Sequence, residues 1–155
     1  TILAAGREGR LAAATDFGAT CAVALTGEAL TAEVRERTNG RGADVVIVAV
    51  GDLSLANQAL ELAAIGGRVN YFAGFPKGRT ASIDPNLIHY RELAVTGGSN
   101  ARRADVRRAV ELLSSGALDV GRLVTHRFPL AELDAAVTAV ARRDGLKVAV
   151  MPAAG

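Results

Sequence analysis

Short apolar runs rich in β-branched residues alternate along the chain with segments of helical periodicity, and turns rich in Gly, Asn and Asp separate them. Parallel βαβ units read this way, because each helix returns the chain so that the next strand runs in the same direction as the last. The fold class expected is therefore α/β. Strands are expected at 1–5 (TILAA), 21–25 (CAVAL), 44–50 (DVVIVAV), 68–72 (RVNYF), 93–96 (LAVT), 123–128 (LVTHRF) and 147–151 (KVAVM). Helices are expected over about 9–17, 27–38, 54–64, 102–115 and 130–142, with a short one opening at Pro85. Gly18, Asn39-Gly40, Gly66-Gly67 and Gly116 supply the stops, and Asp84 is placed to cap the short helix. The run after Asp44 is apolar at every position, so it reads as a central strand covered by helices on both faces. In the helix that follows it, Leu55, Ala59, Leu62 and Ala63 fall along one stripe.

The chain has 155 residues, enough for one ordinary domain, and half of them are hydrophobic, so a core can form. Eighteen Lys and Arg against 16 Asp and Glu leave a net charge of +2, which does not point to a nucleic-acid partner. The longest wholly apolar run, Val45 to Val50, is far shorter than the roughly 20 residues a spanning helix needs. No signal-peptide pattern opens the chain. Cys21 has no second cysteine to pair with, and His89 and His126 are too few to complete a Cys/His zinc site. The composition thus reads as a cytoplasmic protein, without membrane contact and metal-free over this sequence. Thr1 already lies inside what reads as a strand, so the sequence is expected to be cut from something longer.

Parallel sheets bind ligands beyond the carboxyl ends of their strands, so candidate chemistry is sought in the turns that follow them. After the first strand come Gly6, Arg7 and, one helical turn on, Arg10. A carboxylate there would suit the ribose hydroxyls of NAD, whereas a small residue followed by Arg suits the 2′-phosphate of NADP. The same turn also reads as a solvated loop with two surface arginines. Gly51 follows the third strand, Ala73 and Gly74 the fourth, and Gly97, Gly98 and Ser99 the fifth. One such turn would be ordinary. Three at successive strand ends favour a flat ligand lying against backbone. There is no G-x-S-x-G elbow, no Tyr-x-x-x-Lys pair and no G-x-x-x-x-G-K-[ST] loop, and GRG at 40–42 precedes a strand instead of opening a helix. His126 and His89 read as hydrogen-bonded structural residues. Arg102, Arg103, Arg107 and Arg108 form a basic cluster without interleaved aromatics, in a chain with two Tyr, four Phe and no Trp, and this reads as a solvated helix face rather than a nucleic-acid surface.

Three segments together carry a resemblance: NYFAGFPKGRTASIDPNLIHYRELAVTG at 70–97, VTHRFPL at 124–130 and GLKVAVMP at 145–152. In combination and order they closely resemble medium-chain zinc-type alcohol and polyol dehydrogenases of the sorbitol and threonine dehydrogenase kind. The resemblance implies an incomplete Rossmann-type parallel sheet, lacking the first strand and its Gly-rich turn. It implies that 1–122 is a partial dinucleotide-binding domain and that 123–155 returns toward a catalytic domain outside this sequence. Zinc and the substrate pocket are then expected only in that absent domain, and the catalytic residues of this chain are none. The position that binds the adenosine ribose through an Asp in the family is Ala5 here, followed by Gly6 and Arg7, which favours NADP over NAD. By the same resemblance Arg10 lies near that ribose, Val50 and Gly51 form the adenosine-side turn, and Ala73 and Gly74 lie near the nicotinamide ribose. Gly98 and Ser99 lie beside the nicotinamide, and Lys147 reaches the pyrophosphate. The function implied is coenzyme binding in an oxidoreductase that moves hydride between a secondary alcohol or polyol and NAD(P), in a homo-oligomeric enzyme. The competing reading is a catalytically silent nucleotide-binding or assembly module. Without the shared central strand the two half-sheets are expected to expose edges, so the chain alone is expected to self-associate or to be poorly stable.

Overall fold

The computed structural model describes residues 3–6, 8–117 and 119–152. In chain order these form β1 (Leu3–Ala5), α1 (Glu8–Leu11), β2 (Cys21–Val23), α2 (Gly27–Arg37), β3 (Ala43–Val48), α3 (Leu55–Leu62) and β4 (Ala63–Tyr71). They continue with α4 (Pro85–Tyr90), β5 (Ala94–Gly97), α5 (Arg103–Ser114), β6 (Val124–Pro129), α6 (Leu133–Arg142) and β7 (Lys147–Met151). Every strand pairing is parallel, so the expected α/β class holds. The strands form three sheets, β1 with β2, β3 with β4 and β5, and β6 with β7. The chain divides into two compact units, one of residues 24–100 and one of 1–23 with 101–155.

In the unit 24–100, α3 covers one face of the sheet β3-β4-β5. Val48, Ala59, Leu60, Ala63, Val69 and Leu93 form its core, with Leu60 and Val69 fully excluded from solvent. The strand pattern of period two explains this: Val46 and Val48 point toward the core, while Val45 and Ile47 are 58% and 63% exposed. The expectation that this strand is central and covered on both faces is therefore corrected. Among the described residues β3 is an edge strand, with β4 its single paired neighbour, and the face that carries Val45 and Ile47 is not covered. The buried stripe of α3 also differs from the expected one: Ala56, Ala59 and Leu60 are buried, while Leu55 and Leu62 are half-buried.

The α3–β4 junction differs from expectation as well. The helix ends at Leu62 and the strand begins at once with Ala63, whereas the sequence suggests helix to about residue 64 and strand from 68. The pairing with β3 jumps from Ala43–Ala63 to Val45–Arg68, so 65–67 bulges out, with Ile65 76% exposed. Arg91 fastens this junction, its Nη1 donating to the carbonyls of Glu61 at 3.0 Å and Ala63 at 3.1 Å. Asp84 caps α4 as expected, accepting from the Asn86 N–H at 2.9 Å.

In the other unit, the first expected helix is divided into α1 and a 3-10 turn at Thr15–Phe17, which Gly18 ends. Arg122 and Asp16 form an ion pair at 2.8 Å. α6 packs Ala136 and Ala139 toward β6 and β7. α5 has no buried residue, and its basic cluster is partly neutralised on its own surface, where Arg102 pairs with Asp105 at 3.1 Å and Arg108 with Glu111 at 3.3 Å. The hydrogen bond from the Arg102 side chain, with a further one from its N–H, holds the Asp105 carboxyl below its ordinary value. This is the solvated helix face that the sequence suggested.

Candidate functional site

The register of the three-stranded sheet decides where a ligand can lie. Val48 of β3 is opposite Tyr71 of β4, and Tyr71 is opposite Gly97 of β5, so the three carboxyl ends finish at one level. The turns Val50-Gly51, Ala73-Gly74 and Gly98-Ser99 leave from that level. Six of the expected coenzyme residues therefore share one end of one sheet. The Val48 carbonyl ties two of the turns together by accepting the N–H groups of Phe72 at 3.1 Å and Ala73 at 2.9 Å.

Backbone approaches backbone at Gly51. A Cβ placed there would overlap the Gly74 carbonyl oxygen and lie 3.3 Å from its carbon and 3.5 Å from Phe75 Cα, so no larger residue fits without moving the β4 turn. By contrast, a Cβ on Gly74 or on Gly98 would meet no atom within 4 Å. The β3 and β4 turns thus meet at Gly51, while space is open at Gly74 and at Gly98 of the β5 turn. That is the geometry a flat ring needs in order to lie against main chain.

Hydrogen bonds and ring contacts flank the turns. After Gly51, the Asp52 carboxylate accepts from the Ser54 hydroxyl at 2.7 Å and from its N–H at 3.0 Å, and these bonds keep its carboxyl below the ordinary value. Behind Gly74, the Tyr71 hydroxyl donates to the Ala56 carbonyl of α3, and the ring meets Phe75 edge-on at 5.7 Å. Burial pushes the Tyr71 phenol up, and with its proton committed to Ala56 it has a structural role. The Asp84 N–H donates to Asn57 Oδ1 at 2.8 Å and fixes the far end of the loop that carries Lys77 and Arg79. Asn70 and Thr96 are hydrogen-bonded across β4 and β5 at 2.9 Å, just before the turns.

The remaining candidates belong to the other unit. Ala5 ends β1 and Gly6 donates its N–H to the Val23 carbonyl of β2 at 3.3 Å, while Arg10 lies exposed in α1. Arg7 lies outside the described residues. Lys147 opens β7 opposite Val124, at the amino end of that strand. His126 contacts Thr125 Oγ1 at 3.0 Å and stacks on Phe128, and His89 meets Tyr90 edge-on. Sequence reasoning missed the Asp52-Ser54 turn, although a D-x-S spacing after a strand is a known turn pattern. It also missed Thr125, for which no sequence signal exists.

A cleft of about 260 Å³ lined by Arg35, Arg41, Glu61 and Arg91 lies at the amino ends of β3 and β4, opposite the small-residue turns. Its Arg91 is occupied with the carbonyls of Glu61 and Ala63. Among the described residues no three His, Cys, Asp or Glu stand together as metal ligands, and no helix is long and apolar enough to cross a membrane.

Comparison with known proteins identifies the family. Residues 1–115 match the zinc-binding dehydrogenase family. An L-threonine 3-dehydrogenase of Bacillus licheniformis is 32% identical over 146 residues, 94% of this chain and 42% of that protein. The crystal structure of alcohol dehydrogenase TADH from Thermus sp. ATN1 superposes with a TM-score of 0.88 at 29% identity, over 98% of this chain and 44% of its own. A zinc-binding dehydrogenase from Sinorhizobium meliloti 1021, solved bound to NADP, superposes with a TM-score of 0.87 at 29% identity, over 98% of this chain and 45% of its own. The chain spans less than half the length of these relatives. With its parallel Rossmann-type strands, its small-residue turns at one level and a family match over most of its length, the chain belongs to the zinc-binding dehydrogenase family of oxidoreductases.

Proposed function

We propose that this chain is the coenzyme-binding part of an NADP-dependent dehydrogenase that oxidises a secondary alcohol or polyol. The observation that carries this reading is the level alignment of three small-residue turns, open at Gly74 and Gly98, at the carboxyl ends of β3, β4 and β5. Backbone at Val50 and Gly51 would contact the adenosine side, Ala73 and Gly74 the nicotinamide ribose, and Gly98 and Ser99 the nicotinamide ring. The chemistry the coenzyme supplies when bound is acceptance of a hydride. The chain's own part is to hold and orient that coenzyme. In the unit formed by 1–23 and 101–155, Ala5 and Gly6 leave room at the adenosine ribose, Arg7 and Arg10 bind a 2′-phosphate, and Lys147 meets the pyrophosphate. Residues 1–122 serve as the dinucleotide-binding portion, and 123–155 lead toward the portion that would bear zinc and the alcohol. The enzyme works in the cytoplasm, with Cys21 as a free thiol, and as a homo-oligomer.

Amide-resolved NMR of the 155-residue chain with added NADP tests the placement. Signals of Gly51, Ala73, Gly74, Gly98 and Ser99 are expected to shift together, while Gly42, Gly66 and Gly67 at the amino ends stay fixed. Shifts confined to the amino ends, or to the cleft around Arg41 and Arg91, would reject the reading.

A further inference from the structure

The β6–β7 pair carries a register shift that the proposed coenzyme role does not use. The register runs Val124–Lys147 and then His126–Val148, so Thr125 is an extra residue on β6. Bulges are rare in parallel pairs, and beside functional sites they serve to redirect a side chain. The Thr125 side chain acts on the other strand: its Oγ1 accepts from the Leu146 N–H at 3.0 Å and donates to the Lys147 carbonyl at 3.3 Å. A hydroxyl has one proton; when that proton lies on the Lys147 carbonyl, the His126 Nδ1, 3.0 Å from Oγ1, completes the set as a donor. Gly145 completes the arrangement. Its φ is +67°, and a Cβ there would overlap Thr125 Oγ1 and come within 2.6 Å of the His126 ring, so the chain can pass over the hydroxyl only as glycine. The Leu146 N–H, the Lys147 carbonyl and the His126 ring thus converge on one oxygen, and the first two set the backbone path from which the Lys147 side chain departs.

We propose that Thr125, held by an Nδ1-protonated His126 and uncovered by Gly145, is a positioning residue that aims Lys147 at the coenzyme. This rests on the reading of Lys147 as a coenzyme contact. Thr125 itself touches no coenzyme atom; it acts through Lys147 alone.

The experiment is a thermodynamic cycle for NADP binding by the full chain, comparing the unaltered protein with Thr125→Val, Thr125→Ser, Lys147→Ala and the double variant Thr125→Val with Lys147→Ala. Losing the hydroxyl is expected to weaken NADP about five-fold, the scale of one net hydrogen bond. Thr125→Ser is expected to restore binding to that of the unaltered chain. In the Lys147→Ala background, Thr125→Val is expected to add nothing. Imidazole 15N spectra give a separate signature: His126 is expected to bear its proton on Nδ1 in the unaltered chain and the Ser variant, and to lose that preference in the Val variant. Thr125→Ala serves as a second variant with the same expected outcome. If Lys147→Ala weakens binding while Thr125→Val does not, or if Thr125→Val weakens it equally in both backgrounds, the positioning role is overturned and Lys147 stands. If Lys147→Ala leaves the affinity unchanged, the assignment of Lys147 fails, and the positioning role with it.

Discussion

The paired exchange Ala5→Asp with Arg7→Ser is expected to invert the coenzyme preference, from NADP bound at least ten-fold more tightly than NAD to NAD bound more tightly than NADP. The effect is electrostatic. Each charge-assisted bond from a guanidinium to the 2′-phosphate contributes about 1.5–3 kcal/mol, and every 1.4 kcal/mol is a factor of about ten in affinity. On the proposed reading Arg7 would supply one such donor and Arg10 another, and removing the first would forfeit roughly ten-fold or more. The carboxylate introduced in place of the Ala5 methyl would repel the phosphate and accept from the ribose hydroxyls of NAD. Paired dissociation constants for NADP and NAD, before and after the exchange, decide the matter. An unaltered chain that favours NAD ten-fold, or a double variant with an unchanged ratio, would refute the role given to this turn.

Gly51→Ala is expected to produce the largest combined loss of stability and binding of any single substitution at the strand ends. The added methyl would occupy the space of the Gly74 carbonyl oxygen, with Phe75 Cα 3.5 Å away, and these are backbone atoms with no rotamer to change. Overpacking of this kind costs about 1–3 kcal/mol, which lowers the denaturation midpoint. Relief requires displacing the Ala73-Gly74 turn or the Val50-Gly51 turn, both of them in the surface proposed for the coenzyme, so NADP affinity should fall in parallel. Gly74→Ala and Gly98→Ala make an instructive contrast. Neither Cβ meets a protein atom within 4 Å, so both should leave folding near normal and weaken the coenzyme alone. Equal stability of Gly51→Ala and the unaltered chain in urea titration would contradict the close approach.

Much of the fold could be read in advance because its signals are local. Seven apolar runs separated by helical periodicity predict seven strands, and all seven are present among the described residues, six of them close to their expected bounds and β4 starting five residues early. The small-residue turns were also legible, since parallel pairing forces them to one end once the strands are placed. What could not be read depended on partners distant in sequence. Every position from Val45 to Val50 is apolar, and such a run fits a doubly covered strand as well as an edge strand with one open face. Among the described residues no element packs over the face that carries Val45 and Ile47, so they stand exposed, and composition carries no trace of that. At the early start of β4, Arg91, far along the chain, donates to the Glu61 carbonyl of α3 and the Ala63 carbonyl of β4, a partnership no local signal announces. Thr125 looked like any strand threonine, because its importance arises from a register shift and from a glycine just before the facing strand.

If this chain holds a phosphorylated dinucleotide at its strand ends, calorimetric titration of the unaltered 155-residue protein with NADP reads that binding most directly. The expected result is a saturable isotherm with one NADP per chain, an affinity at least ten-fold above that for NAD, and a dependence on salt that reflects the arginine contacts to phosphate. A folded protein that shows no saturable heat with either dinucleotide at millimolar concentration would contradict it.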